Sequence, residues 1–386
     1  MRKSIMLFAF ACLGISANAQ KQFVFTDEIR LRCPEVADQG NSGTCWCFSA
    51  MSFMESEMMF FGNSNPPDLS EMFVVRQNYI DRALKHVMLH GKMNFGEGSY
   101  FWDNFIVAME HGLVPQSVFP NTRPGQLDVC HSELSKRAEF MADSVAEREF
   151  VNPVWTMEYE KMVNGYLGEC PDEFEYHGRM YTPRTFADSV VRLPFADYVQ
   201  VTSFSHHEFY KPCILEIPDN WRWSQFLNVR IDDLAAIVDA ALESGHTVLW
   251  ASDVSEDGFN TDAGYALMPG IPQSADEKQI AEFRNLPYKS QSLRARTLKG
   301  PGVEVAVTQE SRQDDFMNRK TTDDHGMHIV GRAHDQNGNK FYIVKNSWGR
   351  TGKYKGYFYV SENYLKAKTT GLLVHKSALG VLPKAE

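Results

Sequence analysis

Cysteine is scarce in this chain: seven in 386 residues, too few for a disulfide-built scaffold. Basic charge is also in deficit. Lys and Arg number 39 against 49 acidic residues, a formal charge of −10. That balance excludes the usual nucleic-acid binder, which carries a basic patch or stripe. After the first 20 residues no apolar run is long enough to cross a bilayer. There is no internal repeat and no low-complexity linker. What remains is ordinary globular material, 43% hydrophobic, 23% charged and 12% aromatic, enough to bury a sizeable core.

The start of the chain stands apart. Arg2 and Lys3 precede the apolar run Ile5 to Ile15, and Ala17-Asn18-Ala19 puts small residues at the −3 and −1 positions. This is the layout of a secretory signal peptide cleaved before Gln20, the alternative being a buried N-terminal helix. Ala9, Phe10 and Ala11 make a poor lipobox before Cys12. The protein is expected to be exported, to a periplasm or to the exterior.

Residues 44 to 61 predict a helix crowded with apolar residues on every side, which places it centrally. Ser70 is an N-cap for a second helix reaching about His90. Phe95-Gly96-Glu97-Gly98-Ser99 is a glycine-rich loop, and Tyr100 to Gly112 a third helix ending at glycine. Residues 133 to 165 are charged and helical in pattern, while 166 to 225 are mixed. Ile231 to Ser244 is amphipathic, and Thr247 to Ala251 reads as a buried strand. The stretch from 255 to 320 is polar, with little periodicity, and reads as a long insertion or loop region. Beyond Gly326 the period changes to two. Met327–Ala333 and Lys340–Lys345 pair across an Asn337-Gly338 turn, and 357–360 and 371–375 add strands. Helices first and strands last predict an α+β chain with two lobes.

Chemistry concentrates in three blocks. The first is Gln39-Gly40-Asn41-Ser42-Gly43-Thr44-Cys45-Trp46-Cys47, where a loop becomes the buried helix. A helix start carries partial positive charge and free N–H groups, so it favours a thiolate and can hold an oxyanion. Gln39 could add a side-chain amide beside the Cys45 N–H. The second block is Asp323-Asp324-His325-Gly326-Met327-His328-Ile329-Val330-Gly331, and the third Asn346-Ser347-Trp348-Gly349. Histidine supplies a base, and an asparagine carbonyl can fix its tautomer. Taken singly, each has a plain alternative: an inert buried cysteine, a turn asparagine, a core tryptophan.

In this order the blocks resemble the papain-like cysteine peptidases, and within them the bleomycin hydrolase and aminopeptidase C branch. Ser42 stands where papain has a disulfide cysteine, and Val248 to Val254 and Tyr354 to Val374 resemble that branch's segments. The resemblance implies a two-lobed α+β fold, with a helical left lobe, an antiparallel β-barrel-like right lobe and inserted, mostly helical segments. The divisions are 1–19 (signal), 20–132 (helical lobe), 133–225 (insertion) and 226–386 (β-rich lobe, with an insertion at about 255–320). It implies Cys45 as nucleophile, His325 as base and acid, Asn346 as orienter, Gln39 in the oxyanion hole and Trp348 over the Asn–His pair. The family spacing to Gly331 selects His325 over His328, which faces the opposite side of the strand. Gly96 and Gly98 are candidate substrate-binding residues.

The implied reaction is hydrolysis of peptide bonds through a thioester acyl-enzyme, with peptides or small proteins as substrates and homo-oligomers open. Aminopeptidase activity leads. Endopeptidase or dipeptidyl action, a cysteine amidase or acyltransferase, and a non-catalytic peptide-binding scaffold are the alternatives. In the branch, a C-terminal arm runs into the cleft. Here Ser377 to Glu386 follow the last strand, and ten residues span at most about 36 Å. No cofactor is expected. His206-His207, His334 and His375 lack paired metal-ligand spacing, and Asp335-x-Asn337-x-Asn339 reads as a hairpin turn rather than a calcium loop. Cys33 with Cys170 or Cys213 could pair, with free thiols the other reading.

Overall fold

The computed structural model describes residues 22–272, 275–295 and 300–383; the expected signal segment lies outside them. The helix Cys45–Phe60 runs through the centre, and every residue from Trp46 to Met58 is buried. A helix apolar all round can satisfy itself only in such a position. Helix Glu71–Met88 follows, its first turn held by Ser70, whose Oγ accepts from Phe73 N at 3.1 Å. Helices Phe101–Glu110, Ser132–Ala146 and Trp155–Leu167 complete the helical lobe.

The other lobe is built on one mostly antiparallel sheet. Its order is 212–214, 225–228, 198–202, 369–375, 248–252, 325–334, 340–345, 357–361, 265–266, 259–260. Strand His325–His334 organises it. Along His325–Ile329 it pairs with Val248–Ser252, and along Gly331–His334 the N-terminal strand Thr26–Arg30 takes over. Gly331 permits this handover, because a Cβ there would collide with the Ile29 carbonyl.

Three expectations change. The sheet is an open path and not a closed barrel. Its ends are the short strands Pro212–Ile214 and Phe259–Asn260, and Pro212 cannot extend an edge by donating an N–H. The inserted stretch is helical as far as Leu167 and again briefly over Pro183–Phe186 and Ala187–Val191. Beyond Leu167 come also the hairpin Phe174–Tyr176/Arg179–Tyr181 and three strands that join the main sheet. The stretch after residue 255 is not a loop region either. It contributes two strands to the sheet and helices Glu277–Arg284, Tyr288–Ala295 and Gln309–Met317, and Phe259, Tyr265, Met268 and Ile271 are buried.

Alternation along the strands separates two cores. Leu249, Ala251 and Leu373 face the Cys45 helix. Val248, Trp250, Leu372 and Val374 face helix Ile231–Glu243 on the other side of the sheet. The C-terminal turn Lys376–Val381 packs on that second helix, with Ala378 buried and Leu379 and Leu382 against the same core.

Candidate active site

The thiol of Cys45 sits at the first residue of its helix. Its backbone N–H belongs to the first turn and so has no acceptor within the helix. Gly326, the strand neighbour of His325, donates its N–H to Cys45 Sγ at 3.4 Å. That approach needs glycine: a Cβ at 326 would lie 2.9 Å from Phe101 Cε1 and 3.2 Å from Trp46 Cα. The start of the strand is thus pressed against the start of the helix.

His325 is buried, and its Nε2 lies 2.7 Å from Asn346 Oδ1. The same oxygen accepts the Ser347 backbone N–H at 2.8 Å. A backbone N–H only donates, so this contact fixes which end of the Asn346 amide is oxygen. His325 therefore carries its proton on Nε2, leaving Nδ1 as a base. The Trp348 ring lies 4.6 Å from the His325 ring, centroid to centroid, and shields the pair. Burial pushes the Cys45 thiol up to about 12 and the His325 imidazole down to about 4. Each charge alone is penalised by lost hydration. Moving the proton from sulfur to Nδ1 creates both charges together, so the two groups titrate as a pair.

Gln39 is tied into the same construction. Its N–H donates to Ser347 O at 2.9 Å, and Oε1 accepts from Ser347 Oγ at 2.6 Å. Nε2 donates to Ser42 O at 2.6 Å, which leaves its second proton available. Gly349 N–H to Ala37 O at 3.0 Å continues the clasp. The segments of Gln39 and Asn346 thus hold one another beside Cys45 and His325.

The glycine loop lies alongside. Glu97 Oε2 accepts the Gly43 N–H at 2.6 Å, and the Glu97 carbonyl accepts Trp46 Nε1 at 3.0 Å. Arg82, fully buried, donates from Nε to the carbonyl of Asn94 and from Nη1 to those of Gly96 and Gly98. The segment 215–224 from the inserted stretch crosses this loop. Trp221 Nε1 donates to Ser99 Oγ at 2.8 Å, and Asn94 Nδ2 donates to Asp219 Oδ1 at 3.3 Å. A Cβ at Gly98 would collide with the Asp219 carboxylate.

Arg82, Asp219 and Trp221 were not anticipated from the sequence. Arg82 alone left a trace there, as an arginine on the buried side of a helix between Tyr79 and His86.

His328 goes elsewhere. Its Nδ1 meets Ser52 Oγ at 2.9 Å, beside the buried Lys345, whose Nζ donates to the same hydroxyl at 2.8 Å. Asp335 caps the hairpin turn by accepting the N–H groups of Asn337 and Asn339 at 2.8 and 2.9 Å. His206 and His207 do converge, both on Glu216, at 3.2 and 2.9 Å. Gln313 Oε1 is held by the Ser205 N–H at 2.6 Å, so its amide N–H donates to His206 Nδ1. That leaves the proton on the His206 nitrogen facing Glu216, while the ligand atoms of His206, His207 and Glu216 lie within 4.8 Å of one another. All six cysteines among the described residues are free.

Comparison with known proteins finds similar chains among the cysteine peptidases. The sequence model of the papain family of cysteine proteases matches residues 270–374. Aminopeptidase C of Lactococcus lactis subsp. cremoris is 22% identical, over 89% of this chain and 81% of its own. Aminopeptidase G of Lactobacillus delbrueckii subsp. lactis is 23% identical, over 92% and 84%. The crystal structure of PepW from Lactobacillus rhamnosis HN001 superposes with a TM-score of 0.69 at 19% identity, covering 93% of this chain and 83% of that one. By these similarities the chain is a cysteine peptidase: the papain-family model matches part of it, and the aminopeptidase relatives match along most of its length.

Proposed function

We propose that this peptidase is an aminopeptidase, removing residues from the free amino end of peptides. The Cys45 thiolate attacks the peptide carbonyl, and His325 protonates the departing amine. Water, activated by His325, then releases the acyl-enzyme. Asn346 holds the imidazole tautomer, Trp348 excludes water from it, and Gln39 with the Cys45 N–H receives the oxyanion. The relatives' names support the exopeptidase reading, but the observation that carries it is local. Since His325 serves the leaving half, the acyl half must lie toward the Gly96–Gly98 loop. There the carboxylate of Asp219 already stands against Gly98, leaving little room for residues further upstream.

The test is a digest of one peptide set with free and with acetylated amino ends. Stepwise release of single residues from the free set alone is expected, and it should vanish in Cys45→Ala. Internal cleavage of the acetylated set at equal rates would sink the aminopeptidase reading. Arg2, Lys3, the apolar run and Ala17-Asn18-Ala19 support export. Sequencing the amino end of the protein recovered outside the cytoplasm should then begin at Gln20.

A further inference from the structure

Two carboxylates meet where the acyl half of the substrate must end. Asp219 comes from the segment that crosses the glycine loop, and Asp323 from the strand's approach two residues before His325. The Asp219 backbone N–H points at the Asp323 carboxylate. Among the described residues Asp219 has one cationic neighbour, Arg82, with Nη2 4.0 Å from Oδ1. Arg82 is already committed to three backbone carbonyls, and this Nη2 is buried without a hydrogen-bond partner. Asp323 forms no ion pair among the described residues. Its Oδ2 is cut off from solvent and has no hydrogen-bond partner.

A buried acceptor left unpaired is costly. Arg82 pairs with Asp219, and no cation pairs with Asp323 among the described residues. Burial pushes both carboxyls up, Asp219 to about 6, so an arriving cation would supply the positive charge that retained protons otherwise provide. Both carboxylates lie close enough to Cys45 for their charge to raise its thiol pKa, so they belong to the reacting end of the cleft.

We propose that Asp219 and Asp323 together receive the free α-ammonium group of the substrate, and that this pair sets the amino-end specificity of the enzyme. The inference rests on the aminopeptidase reading and names the residues that would enforce it. An ammonium has three donors, enough to reach Asp323 Oδ2 and the Asp219 carboxylate at once. It also brings that positive charge. An acetylated amino end brings no charge and one N–H donor, and its added acyl group would run into Asp219. Discrimination thus combines an attraction with an obstruction. Arg82 and Trp221 are positioning residues: they hold the glycine loop and the crossing segment that carry the contact.

The test compares kcat/KM for alanyl, leucyl and arginyl anilides with that for their N-acetyl counterparts, in the wild type and in Asp219→Asn and Asp323→Asn. The readout is the free-to-acetylated ratio, in which any loss of folded enzyme cancels. A charge-assisted hydrogen bond corresponds to roughly a 10- to 100-fold change, and each variant is expected to lower the ratio by about that much. A second measurement avoids turnover. Leucinamide should slow alkylation of Cys45 by iodoacetamide in the wild type, N-acetyl-leucinamide should not, and both variants should lose the protection. If the variants keep the wild-type ratio and protection, the carboxylate pair is refuted and the aminopeptidase reading stands. If the wild type itself hydrolyses acetylated anilides as readily as free ones, both fall together.

Discussion

Gly326 carries more of the mechanism than its lack of a side chain suggests. It supplies a donor to sulfur, and its missing Cβ lets the strand reach the helix start. Gly326→Ala places a methyl against Phe101 and the backbone of Trp46, forcing apart the elements that hold Cys45 and His325. The overpacking should destabilise the protein by about 1–3 kcal/mol. A misplacement approaching 1 Å should lower kcat on the order of 100-fold. Thermal unfolding and steady-state kinetics on the same preparation check both; unchanged kcat would mean that the close approach is dispensable.

At this scale the sequence was most legible where one short block fixes a residue's place, as with Cys45 at its helix start and Asn346 before Ser347. His325 and His328 were separable by spacing and strand parity, and they have different partners. Asp219 and Asp323 were not legible. Each is an unremarkable aspartate locally, and their meeting depends on how segment 215–224 crosses the glycine loop.

At the scale of elements, the helices and long strands were readable because their periods extend over many residues. The short pieces were not. Phe259–Asn260 and Tyr265–Ala266 are two residues each, too few for an alternation to register, and their place in the sheet is fixed by their neighbours. Tyr198–Thr202 does alternate, but it sits in an aromatic-rich stretch that masks the period.

The start of helix Glu71–Met88 makes a measurable claim. Burial pushes the Glu71 carboxyl up to about 7, against an ordinary value near 4.5, so the folded state keeps a proton that the unfolded chain releases. Its contribution is full below about pH 4.5 and is lost as pH rises through about 7, with an upper size of ~3 kcal/mol. Glu71→Gln should flatten the fall in stability between those pH values. Denaturant melts at pH 4.5, 6 and 7.5 would show it, and an undiminished slope would exclude Glu71 as its source.

For the whole molecule, the two faces of the sheet have separate duties. The face toward the Cys45 helix carries the proposed reaction. The opposite face holds helix Ile231–Glu243, and the C-terminal turn packs on that helix. The sequence left open whether the tail reaches the cleft. Residues 376–383 follow the far core, so removing residues 377–386 should lower the melting temperature through the loss of Ala378, Leu379 and Leu382. It should leave the preference for free amino ends as it was. A collapse of that preference on truncation would return the specificity role to the tail.

The pairing of Cys45 with His325 has one more consequence. Oxidants and disulfides attack thiolates far faster than thiols. Because Cys45 and His325 titrate as a pair, the sensitivity of the enzyme to peroxide or a stray disulfide follows the proton they share. The thiol is only partly covered in the cleft, so a bound substrate shields the nucleophile from chemical damage as it uses it.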